Sequence, residues 1–510
     1  MTEYSNPVLS GFHPDPSVCR VGDTFYLASS SFEYFPGIPL HSSTDLVTWN
    51  RIGHAIDRPG QVPLHDVNDS GGLYAPTLRH HDGLFYLACT VVGGEHPGSF
   101  YLTATDAAGP WSEPVWLDDA QGIDPTIHFA DGKAWWAGCR PAASPEWEQQ
   151  TEIWLRELDL DAGTLVGEEH VLWTGALRGA VWSEGPHLFD HDGWVYLVTA
   201  EGGTERNHAV SIARSRSVTG PFEGCPRNPI LTHRHLGEDF PVQNVGHADL
   251  VEAEDGSWWA LVLGVRSLDG FHVLGRETFL TPVAWQDGWP VLNPGVGRLS
   301  ETGSTPWPGG TPRPATLHDD FTASTALGAH WLSIRGPADF VDSGGDGLVL
   351  LSTDTDLSGD GTPAFLGMRL RDPEMRASMR VAPPKHATAG LALRQSAAFH
   401  LRLELSMDEH GWRADAIAHE NGVDSVVGTV LGDLDPANGD MTLAAELHGL
   451  EVRFSITVGA DTHTVAEADA RILSSERAGG FVGTLVGPFV AGGLGAAVTV
   501  RSFHYRPGLS

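Results

Sequence analysis

Five times between Pro16 and Gly264 a short apolar run, a tight polar turn containing glycine and an aromatic-rich apolar run follow one another. The pattern reads PSVCRVGDTFYLASSS from Pro16, PTLRHHDGLFYLACTVV from Pro76 and PTIHFADGKAWWAGC from Pro125. It returns as PHLFDHDGWVYLVTAEGG from Pro186 and ADLVEAEDGSWWALVLG from Ala248. Asp-Gly turns between apolar runs are hairpin signals, because both residues tolerate positive φ. A further strand-like segment follows the hairpins, as in HSSTDLVTW from His41, YLTATDAAGPW from Tyr101 and SIARSRSVTGPF from Ser211. About four strands per unit is the make-up of a propeller blade. The spacing therefore predicts an all-β chain whose residues 1–301 form a five-bladed β-propeller.

The pattern then changes. Residues 302–317, TGSTPWPGGTPRPATL, are rich in Thr, Pro and Gly and read as a linker. Beyond them, runs such as GLALRQ, HLRLELSM, WRADAIAH, LEVRFSITV and AAVTVRSFHY alternate polar and apolar positions, so each strand has one buried face. No long helical periodicity intervenes. Residues 318–510 are expected to form one β-sandwich of jelly-roll type.

Composition narrows the partners. The chain has 510 residues, enough for two domains, with 61 Gly, 34 Pro and 17 Trp, as a turn-dense β protein would. Its formal net charge of −34 repels phosphate backbones and anionic lipid, which argues against nucleic acid or a membrane as partner and for a neutral or cationic ligand. Cys19, Cys89, Cys139 and Cys225 lie far apart with no CxxC pair, and read as buried reduced thiols. No basic segment with a following apolar core opens the chain, and no apolar run reaches the ~18 residues of a membrane span. A cytoplasmic protein is the expectation.

Blades radiate from a central channel, and the innermost strand of each starts near one mouth. Counting back seven to nine positions from Gly22, Gly83, Gly132, Gly193 and Gly256 gives Asp15, Ala75, Asp124, Glu184 and His247. Proline after Asp15 and Asp124 is expected to hold each aspartate extended, its side chain fixed outward. Three carboxylates around one pocket are costly unless used. Such a set suits hydrolysis of a glycosidic bond, which needs one acid kept protonated by burial and neighbouring charge and one base kept ionised. Opposite walls of a channel would give the wider carboxylate spacing of an inverting pair.

At these residues a family resemblance appears. NPVLSGFHPDPSVCRVGDTFYLASSSFEYFPGIPLHSSTDL closely resembles glycoside hydrolase family 43, in particular its β-xylosidases. The likeness continues through GGLYAPTLRHHDG, GIDPTIHFADGK, WSEGPHLF, EGG, GHADLV and GRETFL, covering nearly the whole propeller. The segment from HDDF through SERAGGFVGTLVGPFV to VRSFHYRPG more loosely resembles the family's concanavalin-like sandwich. The resemblance implies that Asp15 is the general base, Glu184 the general acid, and Asp124 the group that orients Glu184 and raises its pKa. It implies that Arg276 and the stacking wall Phe32 bind sugar, with Tyr74 and His247 also at the pocket. No cofactor is required, although some members hold a calcium or sodium ion near the position of His247 through water. Tyr74 stands where many members have Trp, ERNHAV follows EGGT where others carry an aromatic or Gly before the His, and Leu155 and Arg156 follow Trp154 where a Gln is more usual; all these positions are expected to line or border the pocket.

The resulting expectation is an exo-acting, inverting β-xylosidase that releases xylose from the non-reducing end of β-1,4-xylo-oligosaccharides. The sandwich would close one end of the pocket with an aromatic that the sequence does not single out. An α-L-arabinofuranosidase, or an enzyme with both activities, is the near alternative; a non-catalytic carbohydrate-binding propeller is the alternative of another class. Large two-domain enzymes of this kind often self-associate, so a homo-oligomer is a further expectation.

Overall fold

The computed structural model describes residues 2–508 apart from 309–315, 322–326, 344–346, 385 and 433–438. Residues 17–292 fold into five successive antiparallel sheets of four or five strands. The first comprises Ser17–Val21, Thr24–Ala28, Gly37–Ser43 and Asn50–Ile56. Each of the others also begins with the strand nearest the axis: Thr77–His81, Ile123–Ala130, Glu184–His191 and Val242–Glu252. These innermost strands touch in sequence order, and the fifth touches the first, which closes the ring. The five sheets are thus the blades of a propeller.

Local chemistry explains the blades. Asp82-Gly83, Asp131-Gly132 and Asp192-Gly193 all have positive φ at both residues, the backbone of the tight hairpin turn that matches strand twist. Between blades, apolar side chains such as Trp136 and Trp154 fill the wedge left by sheet twist and are almost fully buried. The third strands end earlier than their sequence runs suggest: after Ser43, Ala104 and Ser215 the chain turns, and DLVTW, DAAGPW and SVTGPF form connections rather than strand.

Part of the stretch expected as a linker is strand. Thr302–Thr305 pairs antiparallel with Thr2–Ser5 and so ties the end of the propeller to its beginning, and Leu317–Asp319 already pairs with the last strand of the second domain. Residues 309–315 of that stretch lie outside the described residues. The second domain packs an eight-stranded sheet against a six-stranded one. Met375, Met379, Leu391, Leu403, Leu443, Phe454 and Phe503 fill the space between the two sheets, the buried half of the alternating pattern. Helix is confined to Ala470–Leu473 and Ser475–Ala478 among the described residues, and none is long and apolar enough to cross a membrane. All four cysteines are free and buried.

The two domains share backbone structure. Tyr34–Phe35 of the propeller pairs with Ser333–Ile334 of the sandwich. Arg369 of the sandwich donates to the carbonyl of Phe12 at 2.7 Å, and Arg266 of the propeller to that of Arg371 at 2.9 Å. Gly275 and Gly483 face each other so closely that a Cβ on Gly275 would sit 2.7 Å from the Gly483 Cα. Glycine on both segments permits that contact.

Candidate active site

One cavity of about 630 Å³ opens where the innermost strands begin, within the range of small-ligand sites. Asp15, Phe32, Tyr74, Asp124, Glu184, His247 and Arg276 all line it. Leu155 and Arg156 do not: Leu155 is fully buried between blades, and Arg156 reaches along its own sheet to the Gly167 carbonyl. Trp154 likewise packs in a blade, its indole donating to the Gln121 carbonyl.

The acids reach the cavity by a backbone device that the Asp-Pro reading misses. Asp15 and Asp124 each have φ of +54°, left-handed rather than extended, and His247 shares that conformation with φ of +43°. Non-glycine residues held there cost about 1–3 kcal/mol and cluster at functional sites. Around Asp124 and His247 the pairing register shifts, so these residues leave the ladder of their strands and turn inward. The fourth blade shows the same bulge, but its positive φ falls on Gly185 at +57°, and Glu184 lies one residue earlier than the equivalence counted from the turns. Glycine is needed there because a Cβ on Gly185 would lie 2.8 Å from the His247 ring.

The acids stand in different environments. Burial alone would raise the pKa of Asp15, but Arg276, His247 and Ser30 outweigh it and hold the carboxyl below the usual range. Ser30 Oγ donates to Asp15 Oδ2 at 2.5 Å, Arg276 Nη1 to Oδ1 at 3.2 Å, and His247 Nδ1 stands 3.4 Å from Oδ1. Glu184 is pushed well above the usual range, by burial first and then by the charges of Asp124 and Asp15. Asp124 is also raised by burial, against the pull of His247, and its Oδ2 accepts the Gly185 N–H at 3.0 Å. That bond sets Asp124 beside the residue following Glu184. The arrangement therefore favours the charged form of Asp15 and the protonated form of Glu184.

Arg276 precedes the strand Glu277–Gln286 and is 8% exposed. Besides Asp15 it donates to Thr204 Oγ1 at 3.1 Å and to the Phe481 carbonyl at 3.1 Å, and its Nε has no hydrogen-bond partner. Phe481 belongs to the sandwich and is the aromatic the sequence did not single out. Its ring stacks 6.0 Å from Phe32 at an interplanar angle of 23°, and Tyr74 stands edge-on to it at 6.1 Å. Trp182, Gln149 and Thr204 also line the cavity and were missed, whereas Glu205 and His208 line it from the ERNHAV segment that the resemblance places at the pocket. A signal existed for Thr204, which directly follows the quoted EGG. Burial lowers the pKa of His208 to about 4, so its imidazole is neutral.

Two residues beyond Asp15 and His247 the innermost strands carry a second polar cluster. Arg79 Nη1 donates to Asp249 Oδ2 at 2.9 Å, Ser17 Oγ to the same oxygen at 3.1 Å, and His187 Nδ1 lies 3.2 Å from Arg79 Nη2. This cluster joins four of the five blades. His247 Nε2 is buried without a partner, which fits one water-mediated contact to an ion. It does not fit a direct ligand set, because His247 belongs to no group of three His, Cys, Asp or Glu ligand atoms among the described residues.

Comparison with known proteins agrees with this geometry. Residues 4–290 match the sequence profile of Glycosyl hydrolases family 43, and residues 318–506 that of the beta xylosidase C-terminal Concanavalin A-like domain. A xylosidase/arabinosidase of Butyrivibrio fibrisolvens is 41% identical, covering 96% of both chains. A non-reducing end alpha-L-arabinofuranosidase of Bacteroides ovatus is 39% identical over 96% of this chain and 91% of its own. The crystal structure of xylan beta-1,4-xylosidase from Bacillus halodurans superposes with a TM-score of 0.90, covering 99% of this chain and 100% of the other at 29% identity. With a carboxylate-lined cavity at the mouth of a propeller, a sandwich closing its side and both sequence profiles matched, the chain belongs to glycoside hydrolase family 43 and is a glycoside hydrolase of its xylosidase/arabinofuranosidase group.

Proposed function

We propose that the protein is an exo-acting, inverting β-xylosidase that removes xylose from the non-reducing end of short β-1,4-xylo-oligosaccharides. The observation that carries this reading is the split between the carboxylates: Asp15 held ionised by Arg276, His247 and Ser30, and Glu184 held protonated by burial and by Asp124 and Asp15. Asp15 takes a proton from water as it attacks the anomeric carbon. Glu184 gives its proton to the departing glycosidic oxygen. Asp124 keeps the Glu184 proton in place until the bond breaks. Phe32, Tyr74 and Phe481 present apolar faces to the sugar ring, and the Arg276 guanidinium stands at the cavity wall beside Asp15. A cavity flanked on one side by a second domain favours a chain end over the middle of a polymer.

The same groups serve an arabinofuranoside, and the names of the two similar proteins above support both glycons. A calcium or sodium ion at the His247 imidazole would be held through water and would supply positive charge beside Asp15. The small-oligosaccharide ligand, the cytoplasmic location and self-association stand as proposals with this reading. Rates on 4-nitrophenyl β-D-xylopyranoside and 4-nitrophenyl α-L-arabinofuranoside, measured side by side, test the glycon, with the xyloside expected to be faster. Proton NMR of xylobiose hydrolysis tests the stereochemistry. α-Xylose as first product is expected, and β-xylose would contradict inversion.

A further inference from the structure

Among the described residues Phe481 is the one from the sandwich that lines the cavity, and both of its backbone polar groups are held by the propeller. Its carbonyl takes Arg276 at 3.1 Å, and its N–H donates to Ser70 Oγ at 2.8 Å. Ser70 does not line the cavity, but its other polar groups reach two further parts of the wall. Its carbonyl accepts Tyr74 Oη at 3.1 Å, and its N–H donates to Glu33 Oε2 at 3.1 Å, one residue after Phe32. Ser70 itself has φ of +61°, a left-handed conformation that aims its N–H, carbonyl and hydroxyl at three different segments.

The neighbouring residue fixes Ser70 to the second domain. Asp69 Oδ1 accepts Arg335 Nη2 at 2.7 Å, and its Oδ2 accepts the Ala397 N–H at 2.7 Å. Arg335 is 1% exposed and also donates to the Val67 carbonyl at 2.5 Å. The loop is therefore anchored on the sandwich while Ser70 distributes bonds to the pocket.

We infer that Ser70 is a positioning residue for the sugar pocket, coupling Phe481 of the sandwich to Tyr74 and to the Phe32–Glu33 turn of the propeller. The Phe481 backbone, the Tyr74 hydroxyl and the carboxylate of Glu33, the residue after Phe32, are each bonded to a different polar group of Ser70, so one residue ties together three parts of the wall. The hydroxyl alone spans the domains, and its loss releases the Phe481 N–H while leaving the bonds to Tyr74 and Glu33 in place. The inference rests on the reading of Phe481 as a sugar-contacting wall.

Ser70→Gly removes the hydroxyl and tolerates positive φ; Ser70→Ala removes it with Cβ retained, so an effect shared by both belongs to the hydroxyl. Steady-state kinetics on whichever nitrophenyl glycoside is turned over faster should show KM raised about threefold to tenfold, with kcat changed less than about twofold. Phe481→Ala should raise KM as well, and adding Ser70→Gly to it should change nothing further, because the hydroxyl acts through that residue. An unchanged KM in both Ser70 variants, with Phe481→Ala still raising it, would overturn the coupling alone. A Ser70→Gly effect of the same size with and without Phe481 would overturn it too. If Phe481→Ala leaves KM unchanged, the reading of the wall fails and the inference falls with it.

Discussion

Asp15, Asp124 and His247 reach the cavity from three blades, each through a left-handed residue, just before an innermost strand for Asp15, near its start for Asp124 and at a mid-strand bulge for His247. Phe481 reaches it from the other domain, on a connection between the short helix Ser475–Ala478 and the strand Leu485–Ala491. The carboxylate floor is thus a product of repetition, and the aromatic wall a product of docking. Repetition gives the floor a rigid, deeply buried setting in which like charges are held close and their pKa values driven apart. Docking gives the wall a setting that depends on a handful of bonds between domains. The chemistry should therefore be sensitive to the floor, and binding to the wall.

The largest effect should come from the floor. Asp15→Ala removes the base and should lower kcat by about 10²–10⁴-fold on every substrate, with the fold intact by circular dichroism. Retention of kcat within about tenfold would break the comparison at its strongest point. Asp124→Asn should act through Glu184. Because the charge of Asp124 helps raise the Glu184 pKa, its loss lowers that pKa, and the acid loses its proton at lower pH. The alkaline limb of the kcat/KM profile should move down by about one pH unit, while the acidic limb, set by Asp15, moves less. An alkaline limb that stays in place would separate Asp124 from the acid.

The smallest effect lies behind the wall and is read as stability. Glu33 is fully buried beside Asp69, and burial raises its pKa from 4.5 to about 8. The folded state thus favours its neutral form. The resulting stability is fully present below the unfolded value and is lost as pH rises through about 8. Thermal melts of the wild type should show Tm falling over that interval, and Glu33→Gln should flatten the fall. A Tm slope unchanged by the substitution would show that Glu33 is not the titrating group.

The two regions also differ in how well the sequence exposes them. The five hairpins announce the blades, and HPDPS, GIDPT, SEGPH and GHAD mark the floor, because each functional residue sits seven to nine positions before a repeated turn glycine. The count does not show that Glu184 and Asp124 differ in place: within the same bulge Asp124 holds the left-handed position and Gly185 holds it in the fourth blade, and bulges leave little trace in a hydrophobic pattern. Proline after Asp15 and Asp124 misleads as well: the register of the blade, not the local dipeptide preference, sets their backbone. Thr302–Thr305 reads as linker because four polar or small residues form a strand only when Thr2–Ser5 lies beside them. Phe481 is hidden for a related reason. Nothing near AGGFVGT distinguishes a cavity-lining phenylalanine from a core one, and 449 residues separate it from Phe32 along the chain.

The division of labour between the carboxylates is tested most directly by Glu184→Gln on two β-xylosides whose leaving groups differ in their need for a proton. Xylobiose has a poor leaving group and should lose about 10²–10⁴-fold in kcat/KM. 2,4-Dinitrophenyl β-D-xylopyranoside, whose leaving group departs unprotonated, should lose about tenfold or less. Equal losses on both would contradict the assignment of Glu184 as the acid.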